Sequence, residues 1–341
     1  MPLREVEGQA QPVEALRRAL LGRRLHHAYL FAGPDGVGKA LCAQGFAEAL
    51  LCATPRDDGD ACGACNPCRR TAERQHPDLH IVARREKKAG ELERQIRIEQ
   101  VRELQRALSF KSFEGARRVV LLLEAEKMNP ATANALLKTL EEPGPDTHFI
   151  LVTAAPHTLL PTVISRCQRV RFAPLPRALV ATKLVELGDL TPAAADLLAG
   201  LAEGSIGKGL NLMRSDVLDR RQVILARADD PEGLDKVPEL LDFADELARP
   251  EQRGTLPLVF HLLRTWYRDL LLVLTGLPYE ALVHRDLAAR ARQRAAGLDV
   301  DAVLGRLSLL NRTEEAIFDR NANARLSIEA MLLHLAGVEA T

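Results

Sequence analysis

The chain has 341 residues, of which 47% are apolar and 27% charged, so we expect a globular protein with two or three domains. Basic and acidic residues number 46 each, and this balance argues against a protein that grips DNA by itself. No apolar run reaches the ~20 residues that span a bilayer, and the N-terminus lacks a signal-peptide core, so we expect a cytoplasmic chain without membrane contact.

The first half of the chain alternates short apolar runs with helical patterns, which is typical of a parallel α/β sheet. Three apolar runs predict buried strands: Ala28–Ala32, 118–123 and 149–153. The segment Lys39–Leu51 carries a helical apolar stripe and predicts a helix after the first strand. Another helix is predicted to begin at Asn129–Pro130, a capping residue followed by a proline, and to end before Pro143.

The second half contains little strand signal. Residues 175–212 predict short helices interrupted by glycines, and leucine-rich helical patterns follow. We therefore predict three parts: an α/β domain at 1–173, a small helical domain at 174–213 and a C-terminal helical domain at 214–341. The charged stretch 84–94 predicts a solvated loop or helix face, with DNA contact as the alternative.

A glycine-rich sequence, GPDGVGK at 33–39, follows the first predicted strand and opens the helix after it. The glycines Gly33, Gly36 and Gly38 would let backbone N–H groups curl around phosphate oxygens, and Lys39 would supply a cation. The next residue is Ala40, whereas a hydrolysing loop needs a serine or threonine there to bind magnesium. The pattern predicts a degenerate site that can hold ATP or ADP.

The end of the second predicted strand agrees with this interpretation. A hydrolytic site needs an aspartate there for magnesium and then an acid that positions water. In our alignment Leu123 takes the first position and Glu124 the second, although a one-residue shift would make Glu124 the metal ligand. Losing one preorganised charge contact typically costs about 10²–10³ in rate, so two losses predict little turnover.

Four of the six cysteines lie close together: Cys52, Cys62, Cys65 and Cys68. Their two-residue gaps allow consecutive sulfurs to face one ion, and four thiolates suit a tetrahedral zinc ion. With four protein ligands no coordination position is left for substrate, so the predicted zinc is structural. The other two, Cys42 and Cys167, are expected to be packed residues.

Together these motifs resemble the bacterial clamp-loader branch of the AAA+ superfamily. The matching stretches are HAYLFAGP at 27–34, the four-cysteine insertion, HPD at 76–78, NALLKTLEEP at 134–143 and SRC at 165–167. The resemblance implies an AAA+ P-loop domain with a parallel sheet, a small helical lid domain and a C-terminal helical collar domain that mediates oligomerisation.

The same resemblance implies a pentameric loader that opens a sliding clamp and places it on primer-template DNA. Its implied partners are the gamma/tau and delta subunits, the clamp, and DNA in the assembled complex. The arginine of the SRC triplet, here Arg166, would project as a finger into a neighbour's nucleotide site. Thr153 matches the first sensor position of the family; the alternative is that it is merely the last residue of a strand.

The resemblance also distinguishes two classes of subunit within the loader. The gamma/tau motor keeps a threonine, an aspartate and an arginine where this chain has Ala40, Leu123 and Gly207. The sequence therefore matches a non-hydrolysing subunit better than the motor. Two alternatives stay open: an active ATPase that uses Glu124, and a zinc-dependent module that binds nucleic acid through the cysteine insertion.

Overall fold

The computed structural model describes residues 2–22, 24–88, 91–114, 117–229, 237–252 and 254–337. These residues form two compact units: Met1–Leu179 with Gly204–Lys208, and Val180–Glu203 with Gly209–Thr341. The first unit is α/β and the second is helical, so the predicted combination of an α/β and an all-α part is confirmed. The finer division into three domains, with boundaries after residues 173 and 213, stays a prediction.

The first unit is built on one parallel sheet. The strands of the first unit, inside and outside this sheet, are β1 (Ala28–Ala32), β2 (Leu79–Val82), β3 (Glu86–Lys88), β4 (Glu91–Leu92), β5 (Arg118–Leu122), β6 (Thr147–Thr153) and β7 (Gln168–Arg171). Its helices are α1 (Ala10–Leu21), α2 (Lys39–Leu51), α3 (Asn66–Ala72), α4 (Ile98–Ser109), α5 (Pro130–Glu141) and α6 (Pro161–Ile164). The sheet order is β2, β5, β6, β1, β7, and every neighbouring pair is parallel.

Strands β3 and β4 form a separate antiparallel pair inside the charged stretch 84–94. The prediction of a loop or helix face there is therefore wrong for these strands, while residues 89 and 90 lie outside the described residues. Two short strands can form in so polar a segment because an antiparallel pair needs only a tight connection.

The main sheet is covered on both faces, because side chains of successive strand residues point to opposite sides. One core cluster contains Leu16, Tyr29, Phe31, Phe46 and Val170. The opposite cluster contains Leu30, Leu104, Leu122, Leu136 and Phe149. Helices α1 and α2 thus cover one face and α4 and α5 the other, which explains why the central strands are continuous apolar runs.

Helix α5 begins and ends close to where its sequence predicts. The Asn129 side chain accepts a hydrogen bond of 2.8 Å from the Thr132 N–H, and Pro130 occupies the first turn. The cap satisfies one backbone donor that the helix itself leaves unpaired. The predicted helix Lys39–Leu51 is likewise confirmed as α2.

The second unit is helical throughout its described residues. Its helices are α7 (Arg177–Leu187, which begins in the first unit), α8 (Pro192–Leu201), α9 (Ile206–Met213, whose start also belongs to the first unit), α10 (Val217–Ala228), α11 (Val237–Ala248), α12 (Leu256–Leu274), α13 (Ala288–Ala295), α14 (Val300–Phe318) and α15 (Ala324–Leu335).

Its core is centred on α12, whose Trp266 and Tyr267 are fully buried. Both donate hydrogen bonds to the buried Asp229 carboxylate, at 2.6 and 2.9 Å, and Arg294 donates to it at 2.9 Å. The buried charge is therefore paired and hydrogen-bonded, as a stable interior requires. Within the described ranges, no helix has both the length and the apolar composition that crossing a bilayer requires.

Candidate functional site

The predicted phosphate loop lies between the end of β1 and the start of α2. Gly36 has φ +70° and Gly38 has φ +97°, a left-handed conformation that glycine adopts without steric cost. Gly33 donates its N–H to the Thr153 carbonyl at 3.4 Å, which holds the loop against β6. Because the first N–H groups of α2 have no partner within the helix, they are free to face an anion above this loop.

Residues 204–208 lie directly on the loop. The Gly207 N–H donates to the Gly36 carbonyl at 3.1 Å. A Cβ added at Gly207 would lie 2.9 Å from the Gly36 Cα, so the backbones approach too closely for a side chain there. Residue 207 corresponds to the sensor arginine of the motor class, and this packing accommodates only glycine.

Gly36→Ala should destabilise the protein more than Gly38→Ala. A Cβ at Gly36 would lie 2.3 Å from the Ser205 Oγ, whereas a Cβ at Gly38 meets nothing within 4 Å. Gly38→Ala carries only backbone strain, about 1 kcal/mol, and Gly36→Ala adds a steric clash for a total of about 2–4 kcal/mol. Denaturant unfolding of both variants measures the free energies, and equal losses would contradict the packing of residues 204–208 on the loop.

Lys39 points back into the loop. Only 4% of it is exposed, and its Nζ donates to the Pro34 carbonyl at 2.5 Å. Burial lowers the pKa of its ammonium group, while the Asp35 and Glu126 carboxylates oppose this shift. A phosphate would have to replace the Pro34 carbonyl as the partner of this cation. The adjacent Ala40 is exposed and offers only a methyl group, which cannot bind a metal ion.

Glu124 is held in an ion pair. Its two carboxylate oxygens accept hydrogen bonds from Arg84, Nε to Oε2 at 2.8 Å and Nη2 to Oε1 at 2.6 Å. The hydrogen bond from Glu124 raises the pKa of the Arg84 guanidinium, as expected for a well-aligned fork. In either alignment, as metal ligand or as catalytic acid, the Glu124 carboxylate is therefore already paired with Arg84. Leu123 packs against the apolar core. Arg84 was not predicted as a site residue, because it begins the charged stretch 84–94, for which a solvated loop or helix face was predicted.

Thr153 ends β6 opposite Ala32, the residue before the phosphate loop, and its role as a sensor stays a prediction. Its hydroxyl oxygen accepts a hydrogen bond of 3.1 Å from the Ala155 N–H, and the residue is 1% exposed. The hydroxyl thus already serves as a local cap at the strand end. The hydroxyl keeps its hydrogen and its second lone pair for a further hydrogen bond.

Arg166 follows α6 and lies at the other end of the sheet. Strand β7 runs parallel to β1 with Gln168 opposite Tyr29, so Arg166 precedes the amino end of β7. The phosphate loop instead follows Ala32 at the carboxyl end of β1. At ~3.3 Å per residue, the three steps from Gln168 to Arg171 place the amino end of β7 about 10 Å from the level of Ala32, and Arg166 lies in the turn before that end. The structure does not bring this arginine together with the loop of its own chain.

The Arg166 guanidinium is oriented by two acceptors. It donates to the Thr162 carbonyl at 2.8 Å and to the Glu141 carboxylate at 2.5 Å, and 33% of its side chain is exposed. Glu141 ends α5 and belongs to the NALLKTLEEP block, but its contact with Arg166 was not predicted. Cys167 beside it is packed as expected, and burial raises the pKa of its thiol to about 12.

The four clustered cysteines converge as predicted. Their sulfurs all lie within 4.8 Å of one another, and the Sγ–Sγ distances Cys52–Cys65 and Cys62–Cys68 are both 3.9 Å. Tetrahedral zinc with Zn–S bonds of about 2.3 Å requires sulfurs about 3.8 Å apart. The donor set and its spacing therefore fit a structural zinc ion.

The surroundings of the cluster shift the pKa values of its thiols in both directions. The Thr54 hydroxyl and the N–H groups of Ala64 and Cys65 donate to the Cys62 sulfur and lower the pKa of its thiol to about 5. Burial raises the pKa of the Cys68 thiol, so a metal ion would displace a proton there.

A buried carboxylate ties the insertion to the N-terminal segment. Asp60 is fully buried and accepts hydrogen bonds from the N–H groups of Leu3 at 3.0 Å, Arg4 at 2.9 Å and Ala61 at 2.7 Å. Sequence analysis missed this contact, because nothing in the local pattern links residue 60 to residues 3 and 4. The cluster is thus anchored on two sides, by α2 and by the chain's first residues.

Comparison with known proteins agrees with this architecture. Residues 8–176 match the family described as DNA polymerase III, delta subunit. DNA polymerase III subunit delta' of Pseudomonas aeruginosa is 33% identical over 329 residues, 95% of this chain and 96% of that protein. Subunit delta' of Bacillus subtilis is 34% identical over 62% of this chain and 60% of its own. Subunit tau of Escherichia coli is 32% identical over 61% of this chain but only 32% of its own.

Fold, motifs and relatives together define a subunit of the DNA polymerase III clamp loader. The match to tau stops well short of either chain's full length, whereas the match to the Pseudomonas delta' extends over nearly all of both. The chain belongs to the delta-prime family of DNA polymerase III subunits.

Proposed function

We propose that this chain is a non-hydrolysing clamp-loader subunit that supplies Arg166 to the nucleotide site of a neighbouring ATPase subunit. It acts with gamma/tau and delta subunits to load a sliding clamp on primer-template DNA during replication. A guanidinium fork stabilises the charge that develops on a transferring phosphate and is worth about 10³–10⁵ in rate. The subunit would thus contribute to catalysis in a complex without cleaving ATP itself.

The observation that carries this proposal is the state of the chain's own loop. The glycine turn and Lys39 are suited to hold phosphates, but Ala40 and Leu123 offer no ligand for magnesium. Glu124, the acid that the alignment offers in their place, is paired with Arg84. Without a metal ion, charge on the transferring phosphate would stay unneutralised. ATP or ADP would be bound as a structural ligand.

The position of Arg166 supports an action in trans. It lies at the sheet end opposite the loop of its own chain, partly exposed and with its guanidinium oriented. The zinc ion would stabilise the insertion, and the helical residues 214–341 would mediate oligomerisation. As part of a replication complex, the protein would work in the cytoplasm.

The purified chain is expected to give no ATP turnover above background in the presence of magnesium. A radiolabelled-phosphate assay, with Lys39→Ala as the control for contaminating ATPases, measures this. Steady hydrolysis by the wild-type chain that disappears in Lys39→Ala would support the gamma/tau-type motor instead. Nucleotide binding measured in parallel by calorimetry separates an empty loop from an occupied, silent one.

A further inference from the structure

A groove of about 460 Å³ lies between helix α1 and strand β7, away from the sites described above. On the helix side it is lined by Gln11, Ala15 and Ala19, which follow one another at intervals of four residues on one face. Two of the three are alanines, whose methyl groups are too short to fill the groove from this side.

The other wall is the outer edge of the sheet. β7 pairs with β1 alone, and among the described residues no strand pairs with its outer side. The Phe172 N–H donates to the Ala32 carbonyl at 2.8 Å and so points toward β1. Because backbone groups of successive strand residues point to opposite sides, those of Arg169 and Arg171 point outward along the groove. They are available to pair with another strand.

The groove is also cationic. Its lining includes the exposed Arg24, Arg169 and Arg171 together with His26, and no aspartate or glutamate. None of the three arginines forms an ion pair with any described residue, in contrast to Arg166. Charged side chains on an edge strand can deter unwanted pairing. Deterring such pairing would explain the charge of these arginines, but it would not explain the open groove beside them.

We propose that this groove binds an extended acidic peptide segment of a partner protein, which adds a sixth strand along β7. Val170 faces the core on the α1 side, so Arg169 and Arg171 extend on the opposite face of the sheet. An added strand would place every second side chain against Ala15 and Ala19, and the alternate ones near the arginines. The groove therefore suits a peptide in which small apolar and acidic residues alternate.

A peptide fits this groove better than single-stranded nucleic acid. Binding single strands without sequence preference depends on exposed aromatic side chains on which bases stack. Among the lining residues Tyr29 is 3% exposed, and its ring packs against Phe46 at 5.0 Å between centroids. The proposal rests on the first unit alone and is independent of the nucleotide loop and of Arg166.

The test uses the full-length chain and a fluorescein-labelled peptide of alternating glutamate and valine, followed by fluorescence anisotropy. Binding should weaken with added salt, and a peptide with lysine in place of glutamate should not bind. N-methylation of alternate peptide amides should weaken binding at least about tenfold, because those amides could no longer pair with the strand edge. Deuterium uptake at the Arg169 and Arg171 amides should fall when the peptide is bound.

Variants of the chain locate the site. The double change Arg169→Ser and Arg171→Ser should weaken binding about tenfold, and Ala15→Trp should weaken it by filling the groove without altering charge. Arg292→Ser, which removes an exposed arginine of the second unit, is the matched control and should bind normally. Circular dichroism verifies that each variant is folded.

Three results would overturn the proposal: equal binding of the N-methylated peptide, wild-type affinity in the double variant, or no binding of the acidic peptide at all. Tighter binding of a labelled dT12 oligonucleotide, lost in the double variant, would assign the groove to nucleic acid instead.

Discussion

Replacing Arg166 with alanine is expected to slow ATP hydrolysis at the adjoining subunit of a reconstituted complex by about 10³-fold. The guanidinium is the only group of this chain that we assign to the chemistry of a neighbour, and alanine leaves nothing in its place. The complex with gamma/tau and delta should still assemble, because we assign assembly to residues 214–341, and the hydrogen bonds that the side chain loses, to Thr162 and Glu141, are local. Single-turnover phosphate release measures the rate, and gel filtration measures assembly.

Controls separate the chemistry of the arginine from its charge. Arg166→Lys keeps the positive charge but lacks the planar fork, so its rate should stay close to that of the alanine variant. Arg102→Ala removes an exposed arginine of helix α4, to which we assign no role, and should leave the rate unchanged. Hydrolysis at the wild-type rate in an assembled Arg166→Ala complex would remove the finger role from this residue.

Cys65→Ser is expected to abolish zinc binding and to destabilise the insertion by on the order of 5 kcal/mol. Binding free energy at a structural metal site is folding free energy, because the unfolded chain has no preformed site. Among the described residues, the small apolar cluster beneath the cysteines has Ala49, Ala61 and Cys68 as its buried members, with Leu20 packed against them, which is little apolar burial for the insertion. Metal analysis gives the zinc content, and limited proteolysis reports opening between residues 52 and 68.

Cys167→Ala provides the matched control for this change. It likewise removes a single cysteine, but one that is buried in the apolar core on one face of the sheet and lies outside the cluster. It should keep a full complement of zinc and an insertion that resists proteolysis. Zinc retained at one ion per chain in Cys65→Ser would show that the four sulfurs are not the ligand set.

The interior of the sheet could be predicted from the sequence, but its edges could not. The central strands β1, β5 and β6 are buried along their whole length, and an apolar run makes up most of each, although β5 begins with Arg118 and β6 with Thr147 and His148. The two edge strands, β2 and β7, were not predicted. β7 has one buried residue, Val170, among Gln168, Arg169 and Arg171, because an edge strand meets solvent and needs no apolar run.

The same distinction holds for the candidate sites. Local spacing was sufficient to predict the glycine loop and the four-cysteine cluster, because their members are near one another in sequence. The pairs Arg84–Glu124 and Arg166–Glu141 join residues on different elements. Only the fold brings such partners together, and a single sequence contains no signal for them.

The close contact between Gly36 and Gly207 limits which substitutions this chain can accept near its phosphate loop. An arginine at position 207 would require the two backbones to move apart first, since even a Cβ there would meet the Gly36 Cα at 2.9 Å. A hydroxyl at position 40, a carboxylate at position 123 and release of Glu124 from Arg84 would each still be needed. For the non-hydrolysing subunit that we propose, several of these changes would therefore be needed together, and no single substitution would convert the chain into an ATP-cleaving one.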